Sequence, residues 1–170
     1  MSGASGEFLD LTRASHQPVQ WTGSISLGAL SRLATAIAHN SGLVAVDLSA
    51  RYDGDQVVVQ GAVEATLMLS CQRCFAEVEL PVKSEFTLAW VRSETQAAEL
   101  PESYEPLLSA SGRVKIADLV EDELLLALPL AVLHKPPHPC AVTGASDTHL
   151  HEAIDTRSKP FAALKQMKRG

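Results

Sequence analysis

Alternating apolar and polar residues predict a run of β-strands in the middle of the chain. In residues 44–52, valine, leucine, alanine and tyrosine side chains fall on one face, and Asp47, Ser49 and Arg51 fall on the other. A period of two with β-branched residues is typical of a half-buried strand. The sequence Asp-Gly-Asp at 53–55 follows this segment and predicts a hairpin turn.

The same alternation continues in two further segments, 56–70 and 78–90, which lie on either side of a Cys-Gln-Arg-Cys sequence. Three successive strands with short connections predict an antiparallel meander. Gly61 falls inside the second of these strands, where a residue without a side chain to pack indicates a bulge or a bend.

Two segments have the spacing of amphipathic helices. Apolar residues recur at every third or fourth position of residues 27–39, after Ser26 in the N-cap position and before Gly42 as a candidate C-cap. Residues 116–128 show the same spacing, and Pro129 ends that helix. The predicted fold class is therefore α+β, an antiparallel meander or partly closed barrel with two packed helices.

The length of 170 residues allows one domain with a real core, and 46% hydrophobic with 20% charged residues is an ordinary globular composition. We expect a single domain over residues 1–156. Flexible loops are expected near 93–113, which is acidic and contains prolines, and near 141–156, which has no apolar period. Residues 157–170 predict a short basic C-terminal helix or tail.

Charge is distributed unevenly along the chain. The net charge is −6, yet residues 157–170 carry five basic and no acidic side chains, which leaves −11 on residues 1–156. An acidic body disfavours a protein that holds nucleic acid by a uniformly basic surface. The tail and one arginine between the first two cysteines form the candidate RNA- or partner-binding surface. Its residues are Arg73, Arg157, Lys159, Lys165, Lys168 and Arg169.

No segment resembles a membrane span, because the longest apolar stretch, Leu124 to Leu133, is interrupted by a proline and falls short of about 20 residues. No signal peptide is visible at the N-terminus. We therefore expect a cytoplasmic protein without a membrane partner, in a reducing compartment where clustered cysteines indicate metal or redox chemistry.

Motifs of enzymes are missing from the sequence. It contains no Ser/His/Asp pattern, glycine-rich phosphate loop or HExxH motif. Three consecutive acids, Glu121 to Glu123, point about 100° apart on a helix and do not form a facing carboxylate pair, so we interpret them as a solvated helix face. We therefore expect no small-molecule substrate.

The cysteines and histidines provide the candidate chemistry. Cys71-x2-Cys74 in a tight turn allows two thiolates to reach one tetrahedral ion, and His134, His138 and Cys140 supply a second half. His134 is favoured as the fourth ligand, since His138 lies between two prolines and only two residues from the third cysteine. A Cys₃His site without an open position indicates structural zinc.

Two other interpretations of the cysteines stay open at this point. The pair at 71 and 74 could consist of plain turn residues with exposed histidines nearby. It could also be a thioredoxin-like redox motif, although such a motif opens a helix beside a βαβ unit and this one opens a strand.

Several of these motifs together resemble the YceD family of large ribosomal RNA subunit accumulation proteins. The resemblance is carried by Leu69-Ser-Cys-Gln-Arg-Cys-Phe75, by Leu119-Val-Glu-Asp-Glu-Leu-Leu-Leu-Ala-Leu-Pro129, by His134 and Cys140, and by Lys159-Pro-Phe-Ala-Ala-Leu-Lys165. It implies a small non-enzymatic factor needed for normal accumulation of large-subunit (23S) ribosomal RNA. Its partner would be precursor RNA or an assembly protein.

An alternative from a different class is a metal-stapled protein–protein interaction module. Such a module would make no RNA contact, and its effect on ribosomal RNA would be indirect. The acidic body suits a basic ribosomal protein as the partner of either kind of factor.

Overall fold

The computed structural model describes residues 7–134 and residue 140. Residues 7–134 belong to one compact unit, and all helices and strands given below lie in it. The domain boundary predicted after residue 156, the loop predicted near 141–156 and the basic tail lie outside the described residues and stay predictions.

The described residues form seven strands, three α-helices and two 3₁₀ turns. The strands are β1 Phe8–Asp10, β2 Val19–Ser26, β3 Leu43–Asp53, β4 Gln56–Ser70, β5 Glu77–Val91, β6 Glu105–Leu108 and β7 Arg113–Lys115. The helices are α1 Leu11–Ala14, α2 Glu94–Ala98 and α3 Ile116–Ala127, and the 3₁₀ turns are Leu27–Ala29 and Leu33–Thr35.

Five of the strands form one sheet in the order β2-β3-β4-β5-β6. The first four are consecutive and antiparallel, which confirms the predicted meander. β6 adds to β5 in the parallel direction. In the described part of the chain the edge strands β2 and β6 pair with one neighbour each, so the sheet does not close into a barrel.

One face of the sheet is buried. Val44, Val46, Leu48 and Ala50 alternate along β3 and are between 0% and 3% exposed. They share one hydrophobic core with apolar residues of α3, which forms where residues 116–128 predicted a helix. The described residues thus make a mixed, mostly antiparallel sheet with few helices.

Gly61 does not form the predicted bulge or bend. It pairs with Leu48 on β3 and Phe86 on β5, and the pairing register runs through it without interruption. A Cβ atom at this position would lie 2.2 Å from Cζ of Phe86 and 2.7 Å from Cδ2 of Leu48. Glycine is therefore needed here for close side-chain packing across the sheet.

The amphipathic helix predicted over residues 27–39 is wrong. The structure has two separate 3₁₀ turns in this segment, Leu27–Ala29 and Leu33–Thr35. The predicted cap is present, because the Ser26 hydroxyl accepts a hydrogen bond of 3.3 Å from the backbone N–H of Gly28.

A buried carboxylate explains why the helix does not continue. The backbone N–H groups of Arg32 and Leu33 donate to Oε1 of Glu121 at 2.6 and 3.0 Å. In a continuous α-helix these two groups would donate to the carbonyls of Gly28 and Ala29, four residues earlier. A contact with a distant helix thus replaces the hydrogen bonds that the local pattern predicts.

The segment near 93–113, predicted as a flexible loop, contains regular structure. It begins with α2, whose N-cap Ser93 accepts a hydrogen bond of 3.3 Å from the N–H of Gln96. It continues with β6 on the edge of the sheet and ends in β7, which pairs with β1 beside the start of α3.

None of the helices in the described part of the chain has the length and apolar character needed to span a membrane.

Candidate metal centre

A six-residue loop between β4 and β5 positions the first two candidate ligands. The backbone N–H of Cys71 donates to the carbonyl of Ala76 at 2.8 Å, and the N–H of Phe75 donates to the carbonyl of Cys71 at 2.9 Å. Phe75 has a φ of 60°, a left-handed conformation that lets the chain turn back into β5. Cys71 and Cys74 therefore lie on one tight turn, as their spacing predicted.

The segment after α3 is tied to this loop. The backbone N–H of Gln72 donates to the carbonyl of Val132 at 2.9 Å, and the Val132 side chain is buried. This hydrogen bond holds the chain next to the turn two residues before His134. The backbone hydrogen bond between Gln72 and Val132 and the buried Val132 side chain thus position the His134 imidazole beside the cysteine pair.

The two ring nitrogens of His134 face different groups. Nε2 lies 3.1 Å from the backbone carbonyl of Glu77, and Nδ1 lies 3.4 Å from Sγ of Cys74. Because a carbonyl oxygen only accepts, the hydrogen bond to Glu77 places the ring proton on Nε2 and leaves the Nδ1 lone pair directed at the sulfur. A metal-ligating histidine is oriented in this way, with its second nitrogen held by a backbone carbonyl.

The structure brings together Cys71, Cys74, His134 and Cys140, whose ligand atoms all lie within 4.8 Å of one another. Two of the cysteines, at 71 and 140, are buried, and the other two residues are partly buried. In a tetrahedral zinc site, bonds of about 2.3 Å to sulfur and 2.0 Å to nitrogen separate a sulfur ligand from a nitrogen ligand by about 3.5 Å. The observed 3.4 Å between Cys74 and His134 fits this spacing. The four residues are close enough to bind one metal ion.

The electrostatics of the turn favour a thiolate at Cys71. Burial raises the pKa of this thiol, but hydrogen bonds from the backbone N–H groups of Cys74, Arg73 and His134 and from the Cys74 side chain outweigh burial and lower the pKa to about 5. One of these contacts is the Arg73 N–H, 3.4 Å from Sγ. Because the thiolate is the form that binds metal, the turn is prepared for an ion at neutral pH.

A backbone carbonyl that sequence reasoning missed, that of Glu77 at the start of β5, supports the site. The carboxylate Oε1 of Glu77 lies 2.6 Å from Nε2 of His39, while its backbone carbonyl accepts from His134. No motif in the sequence pointed to Glu77, because its partners are distant along the chain. Its position as the first residue of β5 makes both contacts available to it.

Of the predicted contact residues, Arg73 is exposed on the cysteine turn. The other five, together with the alternative ligand His138, lie outside the described residues. Those predictions stay untested, and they concern Arg157, Lys159, Lys165, Lys168 and Arg169.

The interpretation of Glu121–Glu123 as a solvated helix face was wrong for two of the three residues. Glu121 is 4% exposed and Glu123 is 7% exposed. Glu121 holds the guanidinium of Arg32 at 2.8 Å as well as two backbone N–H groups. Glu123 faces the hydroxyl of Ser84 at 3.4 Å. The acidic triplet therefore has structural contacts on the inner side of α3.

Comparison with known proteins shows which family the chain is similar to. The model of the family described as "Large ribosomal RNA subunit accumulation protein YceD" matches residues 59–168. A protein of Haemophilus influenzae with that same name is 32% identical over 164 residues, which cover 94% of each chain. No solved structure matches.

Proposed function

The chain belongs to the YceD family, and we propose that it is a non-enzymatic ribosome biogenesis factor that supports processing and accumulation of large-subunit (23S) ribosomal RNA. The observation that carries this proposal is the identity of 32% with a protein of that name over 94% of both chains. A match of this length includes the strands, α3 and the metal-ligand candidates together. The proposal places the protein in the cytoplasm, where ribosomes are assembled.

A structural zinc site is the second part of the proposal. Its ligands would be Cys71, Cys74, His134 and Cys140, which converge on one point. Four protein ligands fill a tetrahedral zinc and leave no position for water or substrate, so such an ion holds chain segments together and does no chemistry. This supports a factor that acts by binding and not by catalysis.

The partner in this proposal is precursor ribosomal RNA or a ribosomal assembly protein. Arg73 on the cysteine turn and the five basic residues of 157–170 would provide the contacts. The net charge of −11 on residues 1–156 would restrict RNA contact to these places.

The function is tested in cells that lack the protein. We expect the ratio of large- to small-subunit ribosomal RNA to fall in these cells and to return when the wild-type chain is supplied. A chain with Cys71→Ser and Cys74→Ser should fail to restore it. Tyr52→Ala, which removes an exposed aromatic of β3 beside the start of β4, should restore it fully. A normal RNA ratio in cells without the protein would contradict the proposal.

A further inference from the structure

Phe75 combines two properties that rarely occur together. It is the only non-glycine residue in the described part of the chain with a positive φ, and its side chain is 80% exposed. A left-handed backbone is unfavourable for a bulky residue and is normally assigned to glycine. The exposed ring contributes little to the core in return. The fold alone therefore gives no reason for a phenylalanine at this position.

The turn that carries Phe75 is held on both sides. Hydrogen bonds from Cys71 to Ala76 and from Phe75 to Cys71 close it, and Gln72 is bound to the segment that precedes His134. Side chains presented from a fixed backbone lose little conformational entropy when they bind. The loop of residues 71–76 therefore presents Phe75 and the exposed Arg73 together.

Two other aromatic rings, those of Phe8 and Trp90, are covered by arginines. The guanidinium of Arg113 lies 4.7 Å from the ring of Phe8, and that of Arg92 lies 4.8 Å from the ring of Trp90. Among the described residues no such contact is made by Phe75. Its face is therefore open to an external group.

We propose that Phe75 and Arg73 form a contact site for single-stranded RNA, with a base stacked on the ring and a phosphate bound by the guanidinium. This inference rests on the proposed function. Unpaired bases stack on aromatic side chains, and the fixed fork of arginine matches a phosphate. A duplex has no free base face to offer, and its dense phosphates would meet the acidic body.

The surroundings of the ring favour RNA over a protein partner. The exposed residues near it in the sequence are Gln72 and Arg73 on the turn and Glu77 at the start of β5, which are polar or charged, and Ala76, whose side chain is a single methyl group. A stable protein interface buries about 800 Å² on each partner around an apolar centre. A single ring within a polar rim offers far less, but it matches the area of one base.

The test measures binding of a short fluorescent oligouridine to the zinc-loaded full chain by anisotropy. Phe75→Gly removes the ring at a position whose backbone suits glycine, so the turn is preserved. We expect affinity to fall about tenfold or more in this variant, to persist in Phe75→Trp, and to be unchanged in Tyr52→Ala. Arg73→Gln should weaken binding and reduce the slope of affinity against salt by about one.

Three outcomes would overturn the inference. They are no binding of oligouridine by the wild-type chain at low salt, equal binding by Phe75→Gly, and a loss in Phe75→Gly accompanied by loss of zinc. If Phe75→Gly instead abolishes association with precursor particles while oligouridine binding is unchanged, the ring contacts a protein and the inference also fails.

The proposed function is tested by a different measurement from that of this contact site. The RNA ratio in cells that lack the protein does not depend on what Phe75 contacts. A reduced ratio together with unchanged RNA binding by Phe75→Gly would reject this contact site alone.

Discussion

His134 Nδ1 lies 3.4 Å from Cys74 Sγ, although 60 positions separate the two residues. If both are ligands of one ion, replacing either should release it. We expect protein purified without added metal to carry about one zinc per chain, and His134→Ala and Cys74→Ser to carry little. Metal content measured by mass spectrometry of the purified proteins checks this.

Alanine variants of other histidines show which imidazole is the fourth zinc ligand. His16→Ala, an exposed residue far from the cysteines in sequence, should keep the zinc of the wild type. His138→Ala should also keep it. Loss of zinc in His138→Ala with retention in His134→Ala would assign the fourth ligand to His138.

Glu121 should contribute strongly to stability, whereas its neighbour Asp122 should not. Glu121→Ala leaves the buried N–H of Leu33 without its acceptor and removes the partner of Arg32, and we expect it to lower the free energy of unfolding by about 2–3 kcal/mol. Asp122 also contacts Arg32 but is 55% exposed, so Asp122→Ala should cost less than about 1 kcal/mol. Urea unfolding measures both, and equal losses would contradict this assignment.

The same carboxylate should make stability sensitive to acid. Burial raises the pKa of Glu121, but hydrogen bonds from the Leu33 backbone and from the side chain and backbone of Arg32 outweigh burial and hold the pKa below its ordinary value. A lowered pKa stabilises the fold above the unfolded-state value of about 4.3, and this contribution disappears as pH falls through the folded-state pKa. Unfolding free energies measured from neutral to acidic pH should therefore fall less steeply in Glu121→Gln than in the wild type.

Glu123 should behave in the opposite way. Burial raises its pKa, the hydrogen bond from Ser84 lowers it, and the charges of Glu105 and Asp122 raise it further, with a net rise. The ionised form is therefore unfavourable in the folded protein at neutral pH, and the penalty is lost when the group is protonated in acid. We expect Glu123→Gln to raise the melting temperature at neutral pH and to match the wild type at acidic pH. A lower melting temperature at neutral pH would show that the carboxylate is stabilising.

Gly61 offers a test of packing across the sheet. Gly61→Ala places a methyl group against Phe86 and Leu48, and we expect a loss of about 1–3 kcal/mol in unfolding free energy. Gly28→Ala, where the nearest atoms are 3.6 Å from the added carbon, should have little effect. Combining Gly61→Ala with Phe86→Leu should recover part of the loss, and equal effects of both alanine variants would contradict the packing argument.

The strands could be predicted because their information is local. β3 and β4 show their period of two over many residues, and the turn at Gly54 lies between them. The first predicted helix failed because its continuation was decided by Glu121, which is 89 positions from Arg32 and looked like an ordinary surface acid.

The candidate site was predictable to a similar extent. The residue types at 71, 74, 134 and 140 are those that zinc prefers, so their convergence could be proposed from the sequence. The support from the backbone carbonyl of Glu77 depends on strand pairing and has no sequence signature. Phe75 was also missed as a contact residue, since neither its exposure nor its left-handed backbone has a sequence signature.

The pairing of β4 with β5 has a consequence for how the protein matures. Ser70 opposes Glu77, and the carbonyl of Glu77 is the group that orients the imidazole. Sliding one strand by a single residue would move this carbonyl by about 3.3 Å and turn neighbouring side chains to the wrong face. A chain with β4 and β5 paired in the wrong register would then bind an ion poorly. Binding of the ion would therefore stabilise the correct register of this hairpin over the shifted one.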